Sequence, residues 1–124
     1  MRALVIRQEP LDKVLSGKKT WEIRGSRTLI REAVGLIESG SGRIVGVCEV
    51  KDCVGPLTLA ELRRNARRAG VNPDGGKLPY KRTHAWVLAN ARRFKKAVSY
   101  EHPPGAVIWV QLDEKTARAV QRAR

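Results

Sequence analysis

Two apolar, β-branched runs joined by four turn residues set the strongest limit on how this chain folds. Ala33-Val34-Gly35-Leu36-Ile37-Glu38 and Arg43-Ile44-Val45-Gly46-Val47-Cys48-Glu49-Val50 flank Ser39-Gly40-Ser41-Gly42. Glycine supplies positive φ and serine bonds to nearby backbone, so 39–42 reads as a hairpin turn. The chain is thus committed to an antiparallel pair, with 43–54 as one strand. Gly35 and Gly46 fall inside these runs. Glycine there marks a bulge, a bend or a close backbone approach, as the corners of a small barrel require.

The remaining segments fit around this hairpin. Residues 2–7 read as a first strand. Pro10 suits the first position of a short helix, in which Leu11, Val14 and Leu15 follow helical spacing and Gly17 is the stop. Residues 18–24 read as a strand and 25–32 as a loop. Thr58 and Glu61 form a capping box, Leu57 and Leu62 a hydrophobic staple, and Gly70 an end, which predicts one helix over 58–70. Residues 71–82 read as a loop able to lie over a site. Residues 84–90 read as a strand, 94–100 as a linker or short strand, and 106–112 as a last strand containing Trp109. Asp113 then caps a basic helix. No βαβ rhythm appears. The expected class is α+β: a small mixed or antiparallel β-barrel with three to four flanking helices.

The 124 residues suit a single domain over 1–124. A chain this long buries roughly two-thirds of its unfolded surface and needs neither disulfide nor metal to fold. No apolar run approaches the roughly 18 residues of a membrane span, and the apolar start is too short for a signal peptide. A cytoplasmic chain with no membrane partner is expected. Cys48 and Cys53 would stand about 16 Å apart on one strand, beyond disulfide reach. With only His84 and His102 beside them, they do not make a zinc site. Reduced thiols, no metal and no cofactor are the expectation.

Charge narrows the partners. Twenty-five Lys and Arg against twelve Asp and Glu give a net charge of +13. Such a field attracts polyanions, nucleic acid first. A basic amphipathic helix for a membrane surface would need bulkier apolar residues than Leu62, Ala66 and Ala69.

Polar residues crowd the strand at 17–24, Gly-Lys-Lys-Thr-Trp-Glu-Ile-Arg. Period-two alternation puts Lys19, Trp21 and Ile23 on one face and Thr20, Glu22 and Arg24 on the other. A carboxylate beside a guanidinium suits a polar, planar ligand, and equally a solvated edge strand. Lys19 is a phosphate contact or, desolvated, a general base. Trp21 is a stacking plane or a core residue. His84 is a candidate acid or base, though a strand histidine beside Trp86 also fits a packed role. Trp86 and Trp109 read as core. Tyr80, Lys81 and Arg82 pair a ring with two cations, a combination for stacking and phosphate contact. Arg63, Arg64, Arg67 and Arg68 repeat at i, i+4, where like charges repel unless an anion neutralises them. Arg92, Arg93, Lys95 and Lys96 extend that basic surface.

The order of an N-terminal strand, a helix ending Leu15-Ser16-Gly17, and the core Gly17, Lys19, Glu22 and Arg24 resembles the ASCH domain family. The resemblance continues through Arg43–Val50, His84–Leu88 and Pro104-Gly105…Trp109. It implies a barrel like that of PUA RNA-binding domains, with a cleft lined by the Gly-x-Lys-x-x-Glu-x-Arg motif and a link to RNA. One branch of the family removes the acetyl group of N4-acetylcytidine, using a lysine, a threonine two or three residues later and a distant glutamate. Lys19 matches that lysine, Glu22 stands where the threonine is expected, Thr20 directly follows the lysine, and Glu49 is a candidate for the glutamate. Another member behaves as a ribonuclease. The leading expectation is an RNA- or nucleotide-binding domain. An amidohydrolase or metal-independent ribonuclease is the second, and an adaptor for an acidic protein the third.

Overall fold

The computed structural model describes residues 1–124, Asp74 by its backbone alone. Strand β1 (Arg2–Ile6) leads into helix α1 (Gln8–Leu15), strand β2 (Trp21–Arg24), strand β3 (Ala33–Glu38) and strand β4 (Arg43–Val54). Helices α2 (Leu59–Arg64) and α3 (Ala66–Ala69) follow, then strand β5 (His84–Ser99), strand β6 (Trp109–Gln111) and helix α4 (Glu114–Ala123). The six strands form one curled sheet, a half-barrel, in the order β2-β5-β4-β3-β1-β6. The α+β barrel-like class is as expected. No helix is long and apolar enough to cross a membrane.

The central hairpin forms as the turn chemistry demands. Glu38 faces Arg43, Ile37 faces Ile44, and the Ser41 hydroxyl donates to the Glu38 carbonyl at 2.7 Å. Gly46 carries no side chain for a concrete reason: a Cβ there would stand 2.4 Å from the Arg92 carbonyl oxygen and 2.7 Å from Leu15 Cδ2. This close approach lets α1 lie across β4 and β5.

The sheet is mixed, because β1 and β3 pair in parallel, Leu4 opposite Leu36. Parallel neighbours need a crossover of a dozen or more residues. Residues 7–32 supply it, laying α1 over the sheet and carrying β2 to the far edge.

Several boundaries differ from the sequence-based reading. Helix α1 begins at Gln8, so Pro10 is its third residue, still within the first turn where no intrahelical acceptor awaits its nitrogen. The helix expected over 58–70 is two. The capping box forms, with Glu61 N donating to Thr58 Oγ1 at 3.1 Å and Thr58 N to Glu61 Oε1 at 2.9 Å. At Asn65 the backbone leaves helical geometry, because the side-chain amide donates to the Glu61 carbonyl at 2.8 Å. Gly70 ends α3 at φ 64. Residues 84–99 form one strand rather than two pieces, since Asn90 (φ 54) and several register shifts against β4 let it bend without ending. Strand β6 is shorter than 106–112. The His102 Nε2 donates to the Ala106 carbonyl at 2.7 Å, which holds that residue in a turn before the ladder begins.

Three apolar clusters fill the fold. Leu4, Ile6, Leu11, Val14, Leu36 and Trp86 pack between α1 and the sheet. Ile37, Ile44, Phe94, Val110 and Val120 pack beneath α4. Trp21, Ile23, Leu57, Leu62 and Ala85 join β2 to α2 and α3. Each fully buried large side chain contributes roughly 1.5–3 kcal/mol. The third cluster fixes β2 against α2 and α3, and the site is built on that strand.

Candidate functional site

Strand β2 alternates as a half-buried strand should from Trp21 onward. Trp21 and Ile23 enter the cluster beneath α2 and α3, and Glu22 and Arg24 point the other way. The alternation does not reach Lys19 and Thr20, which precede the strand. Lys19 therefore does not share a face with Trp21, as a strand over 18–24 would require. Its side chain turns toward Glu22.

Glu22 is the hub. Arg24 places Nε 3.0 Å and Nη2 2.8 Å from Glu22 Oε2. Lys19 Nζ stands 3.5 Å from Oε1. Lys19 is 4% exposed and Glu22 7%, so the pair is shielded from water and screened little by salt. Lys19 Nζ also donates to the Trp21 carbonyl at 2.6 Å and to the Ala69 carbonyl. Burial lowers the Lys19 pKa from its ordinary 10.5, against the opposing pull of the Glu22 charge. Gly70 makes room for this lysine, since a Cβ there would lie 3.1 Å from Lys19 Cδ.

Arg24 is fixed on two further sides. Its Nη2 donates to the Val5 carbonyl at 3.0 Å, and its guanidinium lies 5.5 Å from the Trp86 ring centre. Trp86 stacks on Trp109 at 5.6 Å, and its Nε1 donates to the Ser26 carbonyl at 2.8 Å. Both tryptophans thus belong to packing, as read from the sequence, and Trp86 also supports the arginine from behind.

These three charged groups line a cleft of about 660 Å³ whose walls include Arg7, Glu9, Lys13 and Tyr80. The cleft thus presents two carboxylates, Glu9 and Glu22, several cations and one half-exposed aromatic ring. An adjoining hollow of about 590 Å³ shares Lys13, Lys19 and Gly70 and adds Lys18 and Arg67. Arg7 and Lys13 escaped the sequence reading. No local signal marked them, since Arg7 precedes α1 and Lys13 shares that helix with Glu9 and Asp12.

Other candidates stand elsewhere. Trp21 is 8% exposed, and the Arg68 guanidinium lies 5.6 Å from its ring centre, so it offers no free stacking plane. Thr20 lends its backbone, accepting from Leu88 N and donating to the Arg68 carbonyl, and does not line the cleft. His84 is buried opposite Arg24 in the β2–β5 ladder, its Nδ1 without a partner, and is not part of the cleft wall. Glu49 pairs with Lys51 at 2.6 Å, also outside the cleft. Arg63, Arg64, Arg67 and Arg68 are exposed, but the break at Asn65 falls within both i, i+4 pairs. Lys81 and Arg82 are exposed beside Tyr80, away from the cleft wall. Cys48 is buried and Cys53 half-buried, and both are free.

Comparison with known proteins places these features in a wider setting. A family model described as the ASCH domain matches residues 4–97. The crystal structure of an ASCH protein from Zymomonas mobilis superposes with a TM-score of 0.71 at 15% identity, over 97% of this chain and 94% of that one. A point variant of the same protein gives 0.70 at 16% identity, over 97% and 96%. At that identity the likeness concerns the fold. No curated protein matches the chain by sequence.

Proposed function

The chain belongs to the ASCH domain family, and from that premise we propose that it binds single-stranded RNA or a nucleotide in the cleft floored by Lys19, Glu22 and Arg24. The observation that carries this reading is the shielded Glu22 carboxylate. Arg24 occupies Oε2, while Lys19 approaches Oε1 only at 3.5 Å, leaving that oxygen acceptor capacity. A carboxylate so held accepts from the amino edge of a base. Tyr80 supplies a ring for stacking, a contact worth about 1–3 kcal/mol per base. Lys18 and Arg67 in the adjoining hollow, with exposed Arg63, Arg64 and Arg68, give the phosphates a path outward.

Titration of a labelled single-stranded RNA against salt tests this. Neutralising about four phosphates gives a log K against log salt slope near −3. Glu22→Gln should weaken a nucleoside monophosphate about tenfold, or ~1.4 kcal/mol. Absence of binding at low salt, or a flat response, overturns the reading.

A second reading rests on Lys19. Its Nζ is held at the cleft wall by the Trp21 and Ala69 carbonyls and by Glu22, and burial lowers its pKa from 10.5. That is the posture of a base toward a bound acylated nucleoside or an RNA 2′-hydroxyl. Incubation with N4-acetylcytidine and, in parallel, with RNA separates amidohydrolase from ribonuclease. Lys19→Ala should abolish turnover with folding retained, and no turnover of either substrate by the native protein removes both enzyme readings.

A further inference from the structure

The geometry points to a second anion-binding groove, between the outer half of β5 and α4, that takes the phosphodiester backbone of the same single-stranded nucleic acid whose nucleotide occupies the cleft. This rests on the cleft reading. The groove measures about 860 Å³, and its walls bring Arg92, Arg93, Lys95 and Lys96 from β5 against Arg122 and Arg124 at the end of α4. No Asp or Glu lines it among the described residues, and of these cations only Arg93 has an ion-pair partner within 4 Å. The floor is small and apolar, with Ala97, Ala119 and Ala123, so a backbone can approach closely.

The strand is shaped to present these cations. Ile44 pairs with Val98 and Gly46 with Arg93, so Val45 alone on β4 spans the stretch of β5 that holds Phe94, Lys95, Lys96 and Ala97. Phe94 turns inward to the core, while Lys95 and Lys96 are exposed. On its other side β5 pairs with β2 only through residues 84–87. Lysines on such an open edge also deter pairing with a second sheet. Edge protection does not require the cations of α4 to converge on the same hollow, and phosphate binding does.

The groove and the cleft meet at α1. Lys13 lines the cleft, and its neighbour Asp12 receives Arg93 Nη2 at 2.8 Å. Helix α1 thus borders the cleft through Lys13 and the groove through the Asp12–Arg93 ion pair.

The test compares wild type with the triple variant Lys95→Ala, Lys96→Ala, Arg122→Ala, all exposed positions, with thermal melting as the folding control. Fluorescence anisotropy follows a nucleoside monophosphate and a single-stranded RNA of about fifteen nucleotides over a salt series. The expected result is a salt slope shallower by about 2 for the long RNA, at about 0.7 per lost phosphate contact, and unchanged monophosphate affinity. An unchanged long-RNA slope overturns the groove and leaves the cleft reading intact. A shallower slope with no monophosphate binding by wild type sustains the groove and removes the cleft reading. Equal competition by polyglutamate and by RNA of matched charge also overturns the proposal, in favour of an acidic protein.

Discussion

Arg24 holds Glu22 through two nitrogens on one oxygen, Nε at 3.0 Å and Nη2 at 2.8 Å from Oε2. The arginine is itself pinned by the Val5 carbonyl and the Trp86 ring. The carboxylate is therefore positioned by the packed sheet and not by its own rotamer preference. Removing Arg24 leaves the buried Glu22 with the Lys19 ammonium at 3.5 Å as its remaining charged partner. Arg24→Leu is expected to cost about 3 kcal/mol, as for other broken buried pairs, and the triple variant Lys19→Met, Glu22→Leu, Arg24→Leu, which leaves none of the three charges behind, to recover part of that loss. Urea unfolding of the three proteins measures it. A triple variant less stable than Arg24→Leu alone would contradict the assignment.

Lys19 carries a pH dependence whose sign follows from burial. Its pKa lies below 10.5 in the folded chain, with burial the largest cause. Between the folded pKa and 10.5 the unfolded chain holds more protons, so stability from this group rises with pH. The contribution is complete above 10.5 and is lost as pH falls through the folded pKa. Other lysines titrate in the same range, so the informative quantity is the stability difference between wild type and Lys19→Met. That difference should move in favour of wild type as pH climbs toward 10.5. A pH-independent difference would mean that burial does not depress the group.

Gly70 separates two effects that a glycine can serve. It sits at φ +64 and also abuts Lys19. Gly40 sits at φ +78, and a Cβ added there would meet nothing within 4 Å. Gly40→Ala should cost only the left-handed strain, about 1–2 kcal/mol. Gly70→Ala should cost more, and it alone should weaken ligand binding, by displacing the Lys19 ammonium. Equal losses in thermal unfolding and equal affinities would show that Gly70 does not shape the site.

Short-range physics made much of this molecule legible in its sequence. Ser39-Gly40-Ser41-Gly42 gave away the hairpin, Thr58 with Glu61 the start of α2, and Asp113 the start of α4, where its carboxylate accepts from Thr116 N at 2.7 Å. The alternation of Trp21, Glu22, Ile23 and Arg24 identified the faces of β2. What stayed hidden depends on distant parts of the chain. The ammonium of Lys19 is drawn to the Ala69 carbonyl, fifty residues away, and no local period encodes that. The parallel register of β1 and β3 and the continuity of β5 through Asn90 are likewise settled by sheet partners. The contribution of α1 to the cleft follows from its crossover path and not from its composition.

Cys48 offers a probe of the same region. It is 1% exposed, and burial together with the charges of Glu22 and Glu49 pushes its thiol up to about 12. The thiolate is the reactive form, so near pH 8 its fraction falls about a thousandfold below that of a free cysteine with pKa ≈ 8.5. Cys53 is half-buried and should react first with a disulfide reagent under native conditions. Native protein is expected to show one fast thiol, and urea-unfolded protein two. Cys53→Ser should leave native protein without a fast thiol, its slow residual rate reporting local opening of the sheet. Two fast thiols in the native protein would mean that the layer beneath Glu22 is open to solvent, and the shielding on which the cleft chemistry depends would be lost.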